Sequence, residues 1–93
     1  MTKATKIDLD INIFPNPVKG GMVRIDLHTS LQNDLARLSI INKNGQRVHL
    51  QELLLKEGKT TTIDLSKCPS GSYHAVVNLR DEVVSEQFIV LNG

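Results

Sequence analysis

The stretch Ile13-Phe14-Pro15-Asn16-Pro17, followed by Lys19-Gly20-Gly21, decides how the chain is organised. Each proline fixes its own φ angle, lacks a backbone donor and favours extended geometry in the residue before it. Neither a helix nor a central strand can continue through such a stretch. Gly20 and Gly21 then permit a sharp turn into the next apolar run. A strand that arrives at Ile13 must therefore leave its sheet at this corner.

Apolar and polar residues alternate on both sides of this corner, which is typical of half-buried strands. The first strand is expected to begin at Ile7, and Asn44-Gly45 predicts a later hairpin because both residue types tolerate positive φ. The run Leu53-Leu54-Leu55 interrupts the alternation and predicts a β-bulge or a strand end buried on both faces. The positions expected to face the core after the corner are Val23, Ile25, Leu27, Ala36, Leu38, Ile40, Thr61, Ile63, Leu65, Tyr73, Ala75, Val77, Leu79, Phe88 and Val90.

These segments predict an all-β fold, namely a seven-stranded antiparallel immunoglobulin-like β-sandwich. Turn residues recur about every ten residues, and no stretch holds a helical period over roughly 10–15 residues. Tyr73 follows a loop rich in turn residues, which predicts a tyrosine corner whose hydroxyl bonds to nearby backbone. An open barrel is the alternative fold.

The composition limits the size of the protein and its possible partners. Ninety-three residues are enough for one domain. We interpret residues 7–93 as that domain and residues 1–6 as a linker remnant or an expression-derived start. Aromatic residues make up only 3%, so the core must be aliphatic. Eleven basic and ten acidic side chains give a net charge of +1, which offers no electrostatic footprint for nucleic acid. No segment approaches the roughly 20 apolar residues of a membrane span.

Few side chains are suited to catalysis or metal binding. Cys68 is the only cysteine, so no internal disulfide can form, and no neighbouring base would activate it as a nucleophile. Asp8 and Asp10 share one side of a strand, but calcium needs six or more oxygen ligands. We expect no enzyme activity and no catalytic, metal or cofactor-binding residue. Three histidines are expected on the solvated sides of their strands: His28, His49 and His74.

Three segments together resemble the motifs of one family. They are Phe14-Pro15-Asn16-Pro17, the hairpin from Asn42 to Val48, and Thr62-Ile63-Asp64-Leu65-Ser66 followed by Pro69-Ser70-Gly71-Ser72-Tyr73. Over residues 11–91 the chain resembles the type A C-terminal sorting domain of the type IX (Por) secretion system of Bacteroidetes. The resemblance implies that the structural and recognition residues are Phe14, Pro15, Asn16, Pro17, Asn42, Gly45, Val48, Asp64, Leu65, Pro69, Gly71, Tyr73, Phe88, Val90 and Leu91.

The resemblance implies a targeting role at the end of a larger exported protein. A separate signal peptide would deliver that protein to the periplasm, where an outer-membrane translocon shuttle would bind the folded domain. A surface sortase would then remove the domain and leave the cargo at the cell surface or secreted. The implied partners are the shuttle, the sortase and the N-terminal cargo domain. Unpaired strand edges also predict a strand-mediated homodimer.

The alternative interpretation is a carbohydrate-binding or adhesive β-sandwich accessory module, and a structural spacer is a third. Sugar-binding surfaces usually need exposed aromatic rings, and this chain has no Trp. The chain departs from the family pattern at Cys68, at Gln87 and at its end, where the family often has Lys or Arg. Asn92 and Gly93 stand there instead, and we expect neither to contribute to the core.

Overall fold

The structure, a computed structural model, describes residues 9–30, 32–56 and 59–92. The interpretation of residues 1–6, the strand start at Ile7, Asp8 and Gly93 lie outside these ranges. Within them no helix is long and apolar enough to cross a membrane. The described residues form eight strands: β1 (Leu9–Phe14), β2 (Val18–Lys19), β3 (Met22–Thr29), β4 (Gln32–Asn42), β5 (Arg47–Lys56), β6 (Lys59–Asp64), β7 (Gly71–Leu79) and β8 (Glu82–Leu91).

The strands form two sheets, one with the order β1-β3-β6 and one with the order β2-β8-β7-β4-β5. All pairs are antiparallel except β2 with β8, which is parallel. The predicted all-β fold is therefore confirmed, but the count of seven antiparallel strands is not. The additional strand is the two-residue β2, and it makes the five-stranded sheet mixed.

The corner at Pro15-Asn16-Pro17 moves the chain from one sheet to the other, as the two prolines predict. β1 ends at Phe14 beside β3, and β2 begins at Val18 beside β8. Both peptide bonds that precede the prolines are cis. Because a proline offers no N–H to a ladder, the pairing of β1 stops at this point.

The inner faces of the two sheets share one aliphatic core. The predicted inward positions are buried, except that Thr61 is only half-buried. The Tyr73 and Phe88 rings stack within this core, with their centroids 6.0 Å apart. Each fully buried aliphatic or aromatic side chain contributes about 1.5–3 kcal/mol. The largest fully buried side chains are Phe88, Ile25, Leu27, Leu38, Ile40, Leu55, Ile63, Leu65, Leu79, Val18, Val23 and Val77.

β5 differs from the sequence-based expectation. Leu53 and Leu55 are buried while Leu54 is 44% exposed, so this run alternates regularly. Both expectations for it, a bulge or a strand end buried on both faces, are therefore wrong. The register of β4 and β5 shifts elsewhere, between Gln32 and Asp34 and between Ile40 and Ile41. His49 is half-buried, with Nε2 3.0 Å from the Gln51 amide oxygen, so its predicted solvated position is also wrong. Both errors arise because β5 carries apolar residues on both faces.

Candidate functional site

The three motif segments and the end of the last strand meet at one end of the sandwich. The register brings Met22 opposite Asp64 and Asn42 opposite Tyr73, so strands that are distant in sequence end side by side. Gly71 at the start of β7 likewise lies opposite the end of β8. We call this region the motif end, and it consists of residues 14–22, 42–47, 64–73 and 88–92.

The first motif segment, residues 14–17, contacts the last strand, β8. The Asn16 side-chain oxygen accepts a hydrogen bond from the backbone N–H of Ile89, at 3.2 Å. Two residues later, Val18 pairs with Val90 in the parallel ladder between β2 and β8, and the Val18 side chain is fully buried. The proline corner thus both redirects the chain and adds bonds to the free edge of β8.

The third motif forms a braced loop between β6 and β7. The Asp64 carboxylate accepts the backbone N–H of Ser66 at 2.9 Å, which braces the start of the loop. Hydrogen bonds from the Ser66 side chain and backbone lower the pKa of Asp64, and the nearby Lys67 charge lowers it further. The Leu65 N–H donates to the Gly21 carbonyl at 2.6 Å, which ties this loop to the start of β3.

Gly21 fits this contact because it has no side chain. Its φ is +86°, a left-handed conformation that favours glycine, and an added Cβ would lie 2.5 Å from the Ser66 Cα. Gly20 has a similar φ of +81°, but an added Cβ there would meet nothing within 4 Å. The two adjacent glycines therefore have different roles, since only Gly21 is required for close approach of two backbones.

The predicted tyrosine corner is present. The Tyr73 hydroxyl donates to the Pro69 carbonyl at 2.6 Å, while its ring is buried in the core. Burial raises the pKa of the Tyr73 phenol above its usual range, and a negative charge on the nearby Cys68 would raise it further. Cys68 itself is half-buried and packs against the core, so it fills space beside the corner.

Asn92 joins the end of β8 to the same loop, and no pattern in the sequence indicates this role. Its amide nitrogen donates to the Leu65 carbonyl at 3.0 Å and to the Cys68 carbonyl at 2.7 Å. Its backbone N–H donates to the Ser70 hydroxyl at 2.7 Å, and that hydroxyl donates to the Asn92 carbonyl at 2.8 Å. Asn92 lies outside the apolar core, as expected, but it fixes the end of β8 against the loop.

The middle motif forms the hairpin between β4 and β5. The Asn42 side-chain oxygen accepts the N–H groups of Asn44 and Gln46, both at 2.9 Å. Gly45 has φ +84°, whereas Asn44 keeps a negative φ, so the turn differs from the two-residue type that the sequence predicted. A shallow pocket separates this turn from the loop at Pro69. Val48 lies just beyond the hairpin and is 39% exposed on the outer face.

The motif end offers a shaped surface rather than reactive groups. No three His, Cys, Asp or Glu side chains of the described ranges come together in a group that could hold a metal ion. Ile89 and Leu91 are 38% and 46% exposed there, while Phe88 and Val90 between them point into the core. The arrangement can therefore bind a partner through apolar contacts and backbone groups.

Comparisons with known proteins agree with this arrangement. The model of one family, described as a secretion system C-terminal sorting domain, matches residues 12–91. Among solved structures, the chain is similar to a DUF3244-family protein with an immunoglobulin-like β-sandwich fold from Bacteroides vulgatus. The two are 12% identical with a TM-score of 0.60, over 90% of this chain and 98% of that one, which supports the fold alone. No curated protein matches. Because the family model spans nearly all of the described residues, the chain belongs to the C-terminal sorting domains of the type IX secretion system.

Proposed function

We propose that the chain is the export and sorting signal of a larger cargo protein, and that an outer-membrane translocon shuttle binds it as a folded domain. A separate signal peptide takes the cargo to the periplasm before this step. A surface sortase removes the domain after passage, and the cargo is then displayed at the cell surface or secreted. The observation that supports this proposal is the convergence of all three family motifs around the end of the last strand.

The recognition surface in this proposal is the outer side of the motif end. Ile89 and Leu91 are exposed next to the residues that hold β8, so a partner can contact them without opening the core. The surface depends on a folded domain, because Asn16 and Asn92 fix the end of β8 through contacts that are distant in sequence. The proposed role is binding without catalysis.

The carbohydrate-binding alternative requires an exposed aromatic surface. All three aromatic rings of the chain lie in the described ranges. Tyr73 and Phe88 are buried, and the half-buried Phe14 ring has the Arg24 guanidinium above it, 4.3 Å from the ring centroid. These positions favour the sorting function over sugar binding.

The test is export of a fluorescent cargo fused to the full chain behind a signal peptide, in a Bacteroidetes host with a type IX system. The double variant Ile89→Ser/Leu91→Ser changes only exposed side chains at the end of β8. The matched control is Val83→Ser, because Val83 lies on the same strand and is 63% exposed at the opposite end. We expect the parent and control fusions to reach the surface or medium, and the double variant to stay in the periplasm while still folded.

Deletion of residues 88–93 should also stop export, although it removes Phe88 and Val90 from the core and can act by unfolding the domain. Circular dichroism of the purified variants separates unfolding from lost recognition. Export that continues after this deletion would contradict the proposed function. If export stops only in variants that unfold, then the translocon shuttle does not recognise Ile89 and Leu91 directly. The proposed sorting function would still stand in that case.

A further inference from the structure

The outer faces of the two sheets differ in polarity. The outer face of the three-stranded sheet carries polar groups, among them Asp26, which binds Thr60 at 2.8 Å and Arg24 at 3.8 Å. Of the eight large hydrophobic side chains exposed in the described ranges, all but Met22 belong to the five-stranded sheet. An antiparallel sheet with one solvated face normally has polar residues on it. The seven exposed residues of the five-stranded sheet are Leu35, Val48, Leu50, Leu54, Val83, Ile89 and Leu91.

β4 and β5 carry a regular pattern on this outer face. Arg37 and Glu52 lie opposite each other with Nη2 and Oε2 3.7 Å apart, and both side chains are more than half exposed, at 56% and 59%. Ser39 lies opposite the projecting Leu50 and is only 5% exposed, because it is small and its larger neighbours cover it. Three successive cross-strand pairs make up the pattern: Leu35 with Leu54, Arg37 with Glu52, and Ser39 with Leu50.

We propose that this face binds a second copy of the chain, face to face, about a two-fold axis that runs between β4 and β5. Such an axis places β4 of one copy over β5 of the other, and each of the three cross-strand pairs then lies over the same pair of the second copy. Each pair then meets its own complement, as a two-fold interface requires. Leu35 packs on the partner's Leu54, Arg37 faces the partner's Glu52, and the partner's Leu50 fits over Ser39.

The small size of this face indicates a weak contact. Two strands about 4.8 Å apart and about ten residues long present roughly 300 Å² per copy. Stable interfaces bury at least about 600 Å² per partner, so this dimer is transient. We expect a dissociation constant of roughly 0.1–1 mM, so that the dimer forms where the domain is concentrated.

Charge reversal tests the contact between Arg37 and Glu52. The variants Arg37→Glu and Glu52→Arg should each associate at least tenfold more weakly than the parent chain, because each dimer would then bring like charges together. An equimolar mixture of the two variants should associate again, because the acidic face of one meets the basic face of the other. Sedimentation velocity across protein concentrations up to about 1 mM measures all four samples at low salt, where charge effects are largest.

Mixing distinguishes contact between copies from an effect on the fold. In each variant the reversed charge repels the neighbouring charge on the adjacent strand of the same molecule, and mixing does not change this repulsion. If mixing restores association, the restored contact must therefore lie between two molecules. A matched pair tests the apolar part, since Leu54 and Met22 are similarly exposed, at 44% and 48%, on opposite sheets. Leu54→Ser should weaken the dimer, and Met22→Ser should leave it unchanged.

Three results would overturn the proposal. The first is a parent chain that stays monomeric at about 1 mM. This result would also overturn the proposal if the same face then proved to bind a cargo or shuttle protein. The second is association that charge reversal does not weaken, which is the behaviour of an edge-to-edge, strand-mediated dimer. The third is a mixture that associates no better than either variant alone.

Discussion

The two ends of the sandwich are held together in different ways. At the motif end, the side chains of Asn16, Tyr73 and Asn92 bond to the backbone of β8 and of the loop between β6 and β7. At the opposite end, the described residues make an ion pair in which Arg80 binds the Asp34 carboxylate through Nη2 at 2.9 Å and Nε at 3.0 Å. The Arg80 side chain is 58% exposed in this pair.

The difference indicates where the stability of the domain lies. A side-chain hydrogen bond contributes about 1 kcal/mol, and an unpaired buried partner costs about 1–3 kcal/mol. A surface ion pair is worth about 0–1 kcal/mol because water and salt screen it. We therefore expect substitutions at the motif end to lower the free energy of unfolding more than those at the opposite end.

The largest effect is expected at Gly21. Gly21→Ala adds a Cβ 2.5 Å from the Ser66 Cα at a φ of +86°, so the backbone of the loop must move. We expect a loss of at least about 3 kcal/mol in urea unfolding. Gly20→Ala is the matched control and should cost only about 1 kcal/mol, since its φ is similar and its surroundings are open. Equal losses would show that the close approach at Ser66 is unimportant.

Asn92→Asp should have the next largest effect. It replaces the amide donor with a carboxylate that faces the carbonyl oxygens of Leu65 and Cys68. We expect a loss of about 2–3 kcal/mol at neutral pH. Asn78→Asp makes the same chemical change at an exposed site on β7 and serves as the control. Similar unfolding curves for both variants would contradict the bridging role of Asn92.

Tyr73→Phe removes the hydroxyl bond to the Pro69 carbonyl and keeps the ring packing. We expect a loss of about 1 kcal/mol, measured by chemical denaturation, which is the usual contribution of one such bond. The core contact with Phe88 should persist, so the circular dichroism spectrum should not change. An unchanged midpoint would mean that the tyrosine only packs.

Arg80→Ala tests the opposite end directly. It removes the ion pair with Asp34 in a solvated position, so we expect a loss of no more than about 0.5 kcal/mol. Raising the salt concentration should shrink the difference between the two proteins further, because exposed charges are screened. A loss as large as that of Asn92→Asp would reverse the comparison between the two ends.

The smallest effect is expected at Asp64 and depends on pH. The folded state lowers the pKa of this carboxyl. At pH values above the ordinary pKa of about 3.9, the charge therefore stabilises the folded state. This stabilisation is lost as the pH falls through the lowered pKa. Asp64→Asn keeps an oxygen acceptor for Ser66 and removes the charge. The unfolding curves of the two proteins should therefore differ slightly at pH 7, and the difference should shrink as the pH falls below the ordinary pKa and through the lowered pKa of Asp64. A difference that is independent of pH would contradict this role.

Alternation in the sequence correctly predicted which side of β3 and β7 faces the core, because the opposite side of each strand is mainly polar. It could not orient β5, where Val48, Leu50 and Leu54 on one side compete with Leu53 and Leu55 on the other. The loop chemistry before β7 also predicted the bond of the Tyr73 hydroxyl, whose partner lies four residues away. Asn92 bonds to residues more than 20 positions away, which no local pattern reveals.

The directions of β1 and β8 determine how the domain resists a mechanical load. β1 runs toward the motif end and β8 ends there, so Leu9 and Leu91 lie at opposite ends of the sandwich. Tension between these points acts along the strands, while the ladder bonds of β8 to β7 and β2 lie across them. Those bonds are therefore sheared together instead of being peeled one at a time. A domain dragged by its last residues would transmit force to whatever is attached before Leu9 without first unravelling.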